Sequence, residues 1–331
     1  MAKTISLACL HSGHAMTVNE DNLFLLDHYV AEEDRAQYEQ STASQDARQC
    51  FAVADGLGGE GLGDVAAQSV MQTLDKLLQV NRMNNRFDFV TFARDLVDQA
   101  NRNINHLFQD YQGLQIGASF SMLLMEKDTA YTIGLGNSPI FLYRDMKLHR
   151  LTRDHTSQMS DRQQLTRYLG IPGQEGLSDQ DNLTRTLLER GDILLLMTDG
   201  ISKYLNEDQI RSVLMMPMAF VQQIRMLRDR VLEQGGEDNL SVIGIKILDP
   251  NSLAQPRTEA AKKNARQGTP GKKRPQNRTS QQKQNSAARN QPLTKKEKIW
   301  RVVKPIAFYL IFVLLGLLAG RLLFSMADWL G

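Results

Sequence analysis

The amino-acid composition changes abruptly near residue 250, and this change limits which part of the chain can fold. Residues 251–295 consist mainly of Gln, Asn, Lys, Arg, Ser and Pro, with almost no large apolar side chain. Such a segment cannot bury enough apolar surface to offset the entropy that folding removes. Residues 1–250 must therefore supply the hydrophobic core, and residues 251–298 are predicted to be a basic, disordered linker.

The two parts of the chain carry opposite net charge, which the total of +2 conceals. Residues 251–304 contain 15 Lys and Arg but two acids, whereas residues 1–250 contain 23 Lys and Arg and 34 Asp and Glu. An acidic domain with a basic extension indicates an anionic partner for the extension. We expect anionic membrane lipids, bound through residues 257–304. Nucleic acid is disfavoured because aromatic residues do not alternate with the basic ones.

An apolar run follows the basic segment. Residues 305–320 contain no charge, and a bilayer-spanning helix needs about 20 apolar residues. Arg321 can extend its side chain to the interface, which lengthens the usable span. Trp300 and Trp329 flank the run, where interfacial aromatic residues are common. Residues 299–331 are therefore predicted to be a C-terminal transmembrane tail anchor.

Orientation and compartment follow from the charges and the cysteines. Five Lys and Arg residues between 295 and 304 precede the apolar run, so the positive-inside rule predicts that residues 1–304 are cytoplasmic. The chain has two cysteines, Cys9 and Cys50, without the spacing of a metal site. Buried, reduced thiols fit a cytosolic compartment.

Residues 1–250 predict a mixed fold of short strands and helices, without the strict alternation of a doubly wound sheet. Apolar or alternating runs bounded by Gly, Asp or Asn predict strands at 51–54, 119–125, 130–135, 140–143, 193–197 and 242–247. Helical spacing of apolar residues predicts helices at 64–80, 88–108 and 219–233. Residues 29–48 are polar and non-periodic, and they are predicted to form a surface loop.

Several acidic residues stand at predicted strand edges. Asp55 and Asp199 each end an apolar strand and are followed by Gly, and Asp238 comes just before a strand. Glu20 and Asp21 precede a further apolar run. Taken singly, each is a common turn signal. If these strands are neighbours, the carboxylates converge, and all-oxygen ligands favour Mg²⁺ or Mn²⁺.

A different motif overlaps the first of these turns. Residues 56–61, GLGGEG, satisfy the G-x-G-x-x-G pattern of dinucleotide-binding folds. Asp55 would then point a carboxylate at the pyrophosphate, and no second strand ending in an acid follows about 20 residues later. The dinucleotide alternative is therefore disfavoured.

The acidic elements and the motifs between them resemble the metal-dependent, 2C-type Ser/Thr protein phosphatases in order and rough spacing. The resemblance covers about residues 5–248, and several short motifs in register make it specific. The motifs are Asn19–Asp21, Asp55–Gly59, Gly136–Ser138, Leu151–His155, Leu165–Gly170, Thr198–Gly200 and Glu237–Asn239.

This resemblance implies an α+β fold, a four-layer sandwich of two antiparallel β-sheets flanked by α-helices, here followed by the C-terminal transmembrane helix. It also implies two Mn²⁺ or Mg²⁺ ions, with ligands at Glu20, Asp55, Gly56, Asp199 and Asp238. Asp55 would bridge the ions, with Asp199 and Asp238 as further ligands of one ion. Glu20 would bind the other ion, partly through water, and Gly56 would act through its carbonyl and water. Asp21 would orient water. The implied reaction is hydrolysis of phosphoserine and phosphothreonine by a metal-activated water, in partnership with a Ser/Thr kinase.

The sequence departs from the family pattern at two positions. Met16 stands where the family usually has an Arg that clamps the substrate phosphate, so the phosphate-binding residue stays unassigned, with His14 nearby as a partial substitute. Asn137 stands where relatives have a carboxylate linked to a third, weaker ion, which makes a third ion doubtful. These departures leave an alternative open: a metal-binding pseudophosphatase that acts as a phosphoprotein-binding or regulatory module.

Overall fold

The chain divides into two units, Met1–Arg257 and Thr258–Gly331. The structure, a computed structural model, describes residues 1–250 except 59–60, 83, 85–86, 112–113, 160–161, 175 and 179–180. The predicted linker (251–298) and the predicted anchor (299–331) lie outside the described residues. Within the described residues, no helix has the length and hydrophobicity needed to cross a membrane.

Along the chain, the described strands and helices come in blocks, with two helices after β5 and three between β13 and β14. The strands are β1 (Lys3–His11), β2 (Asp21–Leu25), β3 (His28–Tyr29), β4 (Gln37–Ser44), β5 (Arg48–Leu57), β6 (Gly117–Glu126), β7 (Thr129–Leu135), β8 (Ile140–Arg144), β9 (Lys147–Arg150), β10 (Thr156–Met159), β11 (Arg162–Leu165), β12 (Thr184–Leu187), β13 (Ile193–Met197) and β14 (Leu240–Asp249). The helices are α1 (Leu62–Asn81), α2 (Phe89–Leu107), α3 (Asp199–Ser202), α4 (Glu207–Leu214) and α5 (Phe220–Glu233).

Within the described residues, the strands form two six-stranded sheets and one hairpin. The first sheet has the order β4-β1-β14-β13-β8-β9, the second has the order β12-β7-β6-β5-β2-β3, and β10 pairs with β11. The described strand pairs are antiparallel. A dinucleotide-binding fold requires a parallel sheet, so the alternative reading of residues 56–61 is excluded.

Strand β5 shows how the four layers arise from sequence. Side chains alternate between the two faces of a strand. Phe51 and Val53 belong to the core between the sheets, whereas Ala52 and Ala54 belong to the core under α1 and α2. Burial of both faces explains the continuous apolar run, and each large side chain buried contributes about 1.5–3 kcal/mol.

Helices cover the outer face of each sheet. Leu74 of α1 and Leu96 of α2 pack on the second sheet, and α3, α4 and α5 pack on the first sheet, where Leu227 lies in the same core as Val242. The expected α+β sandwich of two antiparallel sheets flanked by helices is thus confirmed for the described residues.

The prediction of a surface loop at residues 29–48 was wrong. Gln37–Ser44 forms β4, which pairs along its whole length with β1 at the edge of the first sheet. Most of its side chains are exposed or half-buried, so the strand has no apolar pattern for the sequence to show. Backbone hydrogen bonds to the neighbouring strand define it.

Candidate metal centre

Pairing between β2 and β5 brings the first two carboxylates together. In this antiparallel register Asp21 lies directly opposite Asp55. The N–H of Gly56 donates to the carbonyl of Glu20, at 3.1 Å, which continues the pairing by one residue. The start of one strand and the end of its neighbour therefore place Glu20, Asp21 and Asp55 at one edge of the second sheet.

The start of α1 holds the Glu20 side chain. Backbone N–H groups of Gly61 and Gly63 donate to its carboxylate, as helix N-termini do for anions. A Cβ on Gly63 would lie 2.7 Å from Glu20 Oε2, and a Cβ on Gly56 would lie 2.0 Å from the Gly63 carbonyl oxygen. Both glycines are therefore needed for the close approach of β5, α1 and Glu20.

Pairing between β13 and β14 brings the other two carboxylates together at one end of these central strands of the first sheet. The end of β13 lies beside the start of β14, with Met197 opposite Val242. Asp199 follows the end of β13 and Asp238 precedes the start of β14, so both lie at the same end of this strand pair. Lys203 joins them, because its Nζ is 2.9 Å from Asp199 Oδ2 and 3.3 Å from Asp238 Oδ2.

Buried hydrogen bonds connect the two edges across the sandwich. Asp21 Oδ2 accepts from the hydroxyls of Thr198 and Ser241, each at 2.8 Å. Asn239 Oδ1 accepts from the N–H of Glu20 at 2.8 Å. Asp21 is 1% exposed, and its hydrogen bonds join the two sheets and orient the groups around it.

Burial and neighbouring negative charges both act on the carboxylates of this site. Burial raises the pKa of the Asp55 carboxyl well above its usual range, and the charges of Asp199, Asp21 and Asp238 raise it further. Burial also raises the pKa of Asp21, against the hydrogen bonds from Ser241 and Thr198. Burial and the charge of Asp64 raise the pKa of Glu20. A bound cation would relieve this repulsion.

Asn137 contacts the site from the β7–β8 turn. Its Nδ2 donates to Asp199 Oδ2 at 2.5 Å, while its Oδ1 is buried and has no hydrogen-bond partner among the described residues. His155 shapes this turn through two hydrogen bonds to Gly136. Its ring Nδ1 accepts from the Gly136 N–H at 3.0 Å, and its backbone N–H donates to the Gly136 carbonyl at 2.9 Å. His155 therefore supports the turn and does not reach the carboxylates through these bonds.

Met16, at the expected phosphate-clamp position, has an uncharged side chain that cannot donate a hydrogen bond. Met16 is 41% exposed in the loop before β2. His14 is held against the loop that carries Asp238, because its N–H donates to the Gly236 carbonyl at 2.7 Å. The phosphate-binding residue stays unassigned.

The donor set fits a hard divalent cation. Carboxylate, amide and carbonyl oxygens are the ligands of Mg²⁺ and Mn²⁺, and the buried Oδ1 of Asn137 is an unsatisfied acceptor beside Asp199. As the side chains stand, no three His, Cys, Asp or Glu residues in the described part already form a metal cage. The ammonium of Lys203 lies between two of the expected ligands instead.

Comparison with known proteins tests the family resemblance. The model of the family "Protein phosphatase 2C" matches residues 31–241, more than half of the chain. The chain belongs to the protein phosphatase 2C family. Its similarity to protein phosphatase PhpP of Streptococcus pneumoniae amounts to 26% identity over 211 residues, covering 59% of this chain and 84% of the relative.

Solved structures of the family share the fold. The Ser/Thr phosphatase PstP of Mycobacterium tuberculosis superposes with a TM-score of 0.59 at 22% identity, covering 74% of this chain and 100% of that one. The catalytic domain of PstP in complex with two manganese ions gives a TM-score of 0.58 at 22% identity, covering 75% and 100%. The predictions of a metal-dependent Ser/Thr protein phosphatase and of Mn²⁺ or Mg²⁺ as its cofactor are thereby confirmed for the family.

Three residues that shape the centre had no role assigned to them from the sequence, although Thr198 and Asn239 stand in the quoted motifs. Thr198 donates to Asp21 and Asn239 accepts from the N–H of Glu20, so both contacts depend on the packing of one sheet on the other. The contact of Lys203 with Asp238 depends on the pairing of β13 with β14. One signal was available: Lys203 lies four residues after Asp199, the spacing at which helical side chains meet.

Proposed function

We propose that this protein phosphatase 2C member hydrolyses phosphoserine and phosphothreonine in proteins at the edge where its two sheets meet. The observation that carries the proposal is the convergence of four carboxylates from both sheets, with the pKa of Asp55 raised by burial and by Asp199, Asp21 and Asp238. Two divalent cations would be held by Glu20, Asp55, Gly56, Asp199 and Asp238. Bound there, they would activate water and neutralise charge on the phosphoryl oxygens.

Other contacts of the site's residues position the proposed ligands. Asp55, which lies opposite Asp21 in the pairing of β5 with β2, would be shared by both cations. Gly56 brings its backbone close to α1, and Asp21, hydrogen-bonded to Thr198 and Ser241, keeps the two edges in register. Asn137 holds one carboxylate oxygen of Asp199. No side chain has to become phosphorylated.

The test is turnover of a phosphothreonine peptide by the purified full-length chain with Mn²⁺. Asp55→Asn and Asp199→Asn should each lower kcat by more than about 100-fold, because each removes a ligand of the cations. Asp95→Asn, which changes an exposed carboxylate on α2, is the matched control and should retain activity. Undiminished activity in excess EDTA would refute the metal-dependent mechanism.

A second candidate is a metal-holding pseudophosphatase that binds phosphoproteins without turning them over. Met16, which cannot donate a hydrogen bond to phosphate, and Asn137 in place of a carboxylate favour it. It predicts Mn²⁺ binding by calorimetry with negligible hydrolysis. A kcat of about 1 s⁻¹ or more would exclude it.

We further propose that the enzyme acts at the cytoplasmic face of a membrane, on phosphoproteins made by a Ser/Thr kinase. Support comes from sequence: the apolar run at 305–320 and the basic residues before it. Residues 299–331 would anchor the chain, and residues 257–304 would bind anionic lipids.

A further inference from the structure

Lys203 occupies an unusual place in the candidate metal centre. It follows the short helix α3, and its N–H donates to the Asp199 carbonyl at 2.8 Å, which directs the side chain back over the site. Its ammonium contacts Oδ2 of Asp199 at 2.9 Å and Oδ2 of Asp238 at 3.3 Å. Both carboxylates are expected ligands of one cation.

Within the described residues, Lys203 is the one cationic side chain that forms ion pairs with these two aspartates. Burial by itself would lower the pKa of its ammonium, but the charges of Asp199 and Asp238 and their hydrogen bonds raise it. The geometry shows the same pairing, with one lysine ammonium in contact with two carboxylates. It also acts on Asp55, whose raised pKa it partly offsets.

A divalent cation and this ammonium cannot use the same oxygens at once. An ion bound to Asp199 and Asp238 would have metal–oxygen distances of about 2.0–2.2 Å, which places it within a few ångströms of Nζ. At such a separation two positive charges repel substantially, even near the surface. Lysine has a flexible four-carbon stem and 56% of the side chain is exposed, so it has space to withdraw.

We propose that Lys203 is a tethered cation that competes with the divalent metal ion for Asp199 and Asp238. It weakens metal binding on this side of the centre, and it stabilises the metal-free protein by neutralising carboxylates that would otherwise repel each other. Occupancy of the centre then depends on the available metal concentration. The proposal rests on the ligand set proposed above.

Direct Mn²⁺ binding to the full-length chain tests the competition, with free Mn²⁺ measured by electron paramagnetic resonance. Lys203→Gln removes the charge and keeps a polar side chain, and it should tighten the weaker Mn²⁺ site by about tenfold. Lys203→Arg keeps the charge and should leave that site weak. Lys76→Gln makes the same charge change on an exposed lysine of α1, about 20 Å along the helix from Gly63, and should bind Mn²⁺ like the wild type.

Thermal unfolding supplies a second readout that does not depend on turnover. In EDTA, Lys203→Gln should lower the Tm by about 2–4 °C, because the carboxylates lose their compensating charge. In saturating Mn²⁺ the deficit should disappear, since tighter binding stabilises the folded state. A residue with a purely structural role would lower the Tm under both conditions.

The outcomes separate the two proposals. Two Mn²⁺ sites in the wild type with unchanged or weaker affinity in Lys203→Gln would overturn the competition and leave the ligand set standing. The same holds if Lys203→Arg tightens binding as much as Lys203→Gln, because charge would then not be the cause. A wild-type chain that takes up no Mn²⁺ would overturn both.

Discussion

At the scale of single residues, Met16 is expected to affect phosphate binding without affecting metal binding. The carboxylates of the centre are placed by strand pairing, whereas Met16 lies in a loop and is 41% exposed. A thioether cannot supply the charge-assisted hydrogen bonds that arginine gives a phosphate. If the proposed ligands bind metal, weak substrate binding would then be a separate property that depends on position 16.

Met16→Arg tests this separation. The new guanidinium should lower KM for a phosphothreonine peptide by about tenfold or more, because a charge-assisted contact contributes about 1.5–3 kcal/mol, and kcat should change less. Val18→Arg adds the same charge two residues along the loop, at a side chain of similar exposure, and is the control. An unchanged KM in Met16→Arg would mean that another group already binds the phosphate.

The sequence predicted the acidic residues better than their surroundings. Asp55, Asp199 and Asp238 stand out because each borders an apolar strand and a turn residue, which are local features. No local pattern shows the contact of Lys203 with Asp238 or that of Asn239 with Glu20, since these depend on which strands and sheets are neighbours. The assignment of individual ligands stays a prediction until metal binding is measured.

At the scale of elements, the contact between α3 and the start of β14 determines the spacing of Asp199 and Asp238. Gly200 lies so close to this strand that a Cβ would be 1.8 Å from the carbonyl oxygen of Asn239. No side chain can be added there without moving one element. The short helix is therefore a spacer that depends on glycine.

Gly200→Ala should push α3 away from β14 and separate the two aspartates. We expect Mn²⁺ affinity to fall by more than about tenfold and the Tm to decrease. The added methyl group would collide with backbone atoms, which cannot move aside without shifting a whole element. Calorimetry and thermal unfolding are the measurements. Ser202→Ala, in the same helix, adds no atoms and is the control; equal effects in both variants would contradict the role of close contact.

The long helices and six of the buried strands were predicted from their apolar patterns, whereas the buried strand β1 and the polar strand β4 were missed. Helix α2 shows both a buried face and an N-cap, Asp88, whose side chain accepts from the N–H of Thr91 at 2.7 Å. Strand β4 shows neither, because it is a polar edge strand that depends on β1. Sequence periodicity reports burial, so it cannot show such a strand.

At the scale of the whole molecule, the acidic domain and the basic, apolar C-terminal region are expected to have different partners. Residues 1–250 carry excess negative charge and residues 251–304 carry excess positive charge. Attraction to an anionic surface would therefore act on the C-terminal region and not on the domain that contains the centre.

Deletion of residues 299–331 tests the predicted anchor. The truncated chain should move from the membrane pellet to the supernatant, because the apolar run that holds it is gone. Deletion of residues 251–298 alone is the control and should leave the chain in the pellet. A full-length chain that is released by high salt would show that charge alone held it at the membrane.

The hydroxyl groups of Thr198 and Ser241, which donate to Asp21, link metal binding to the packing of the two sheets. Their hydrogen bonds cross from one sheet to the other, and the proposed ligands are divided between the same two sheets. Sliding of one layer over the other would separate the ligands well before the cores came apart. A core substitution far from the edge would then register first as a loss of bound manganese and only later as a loss of folded protein.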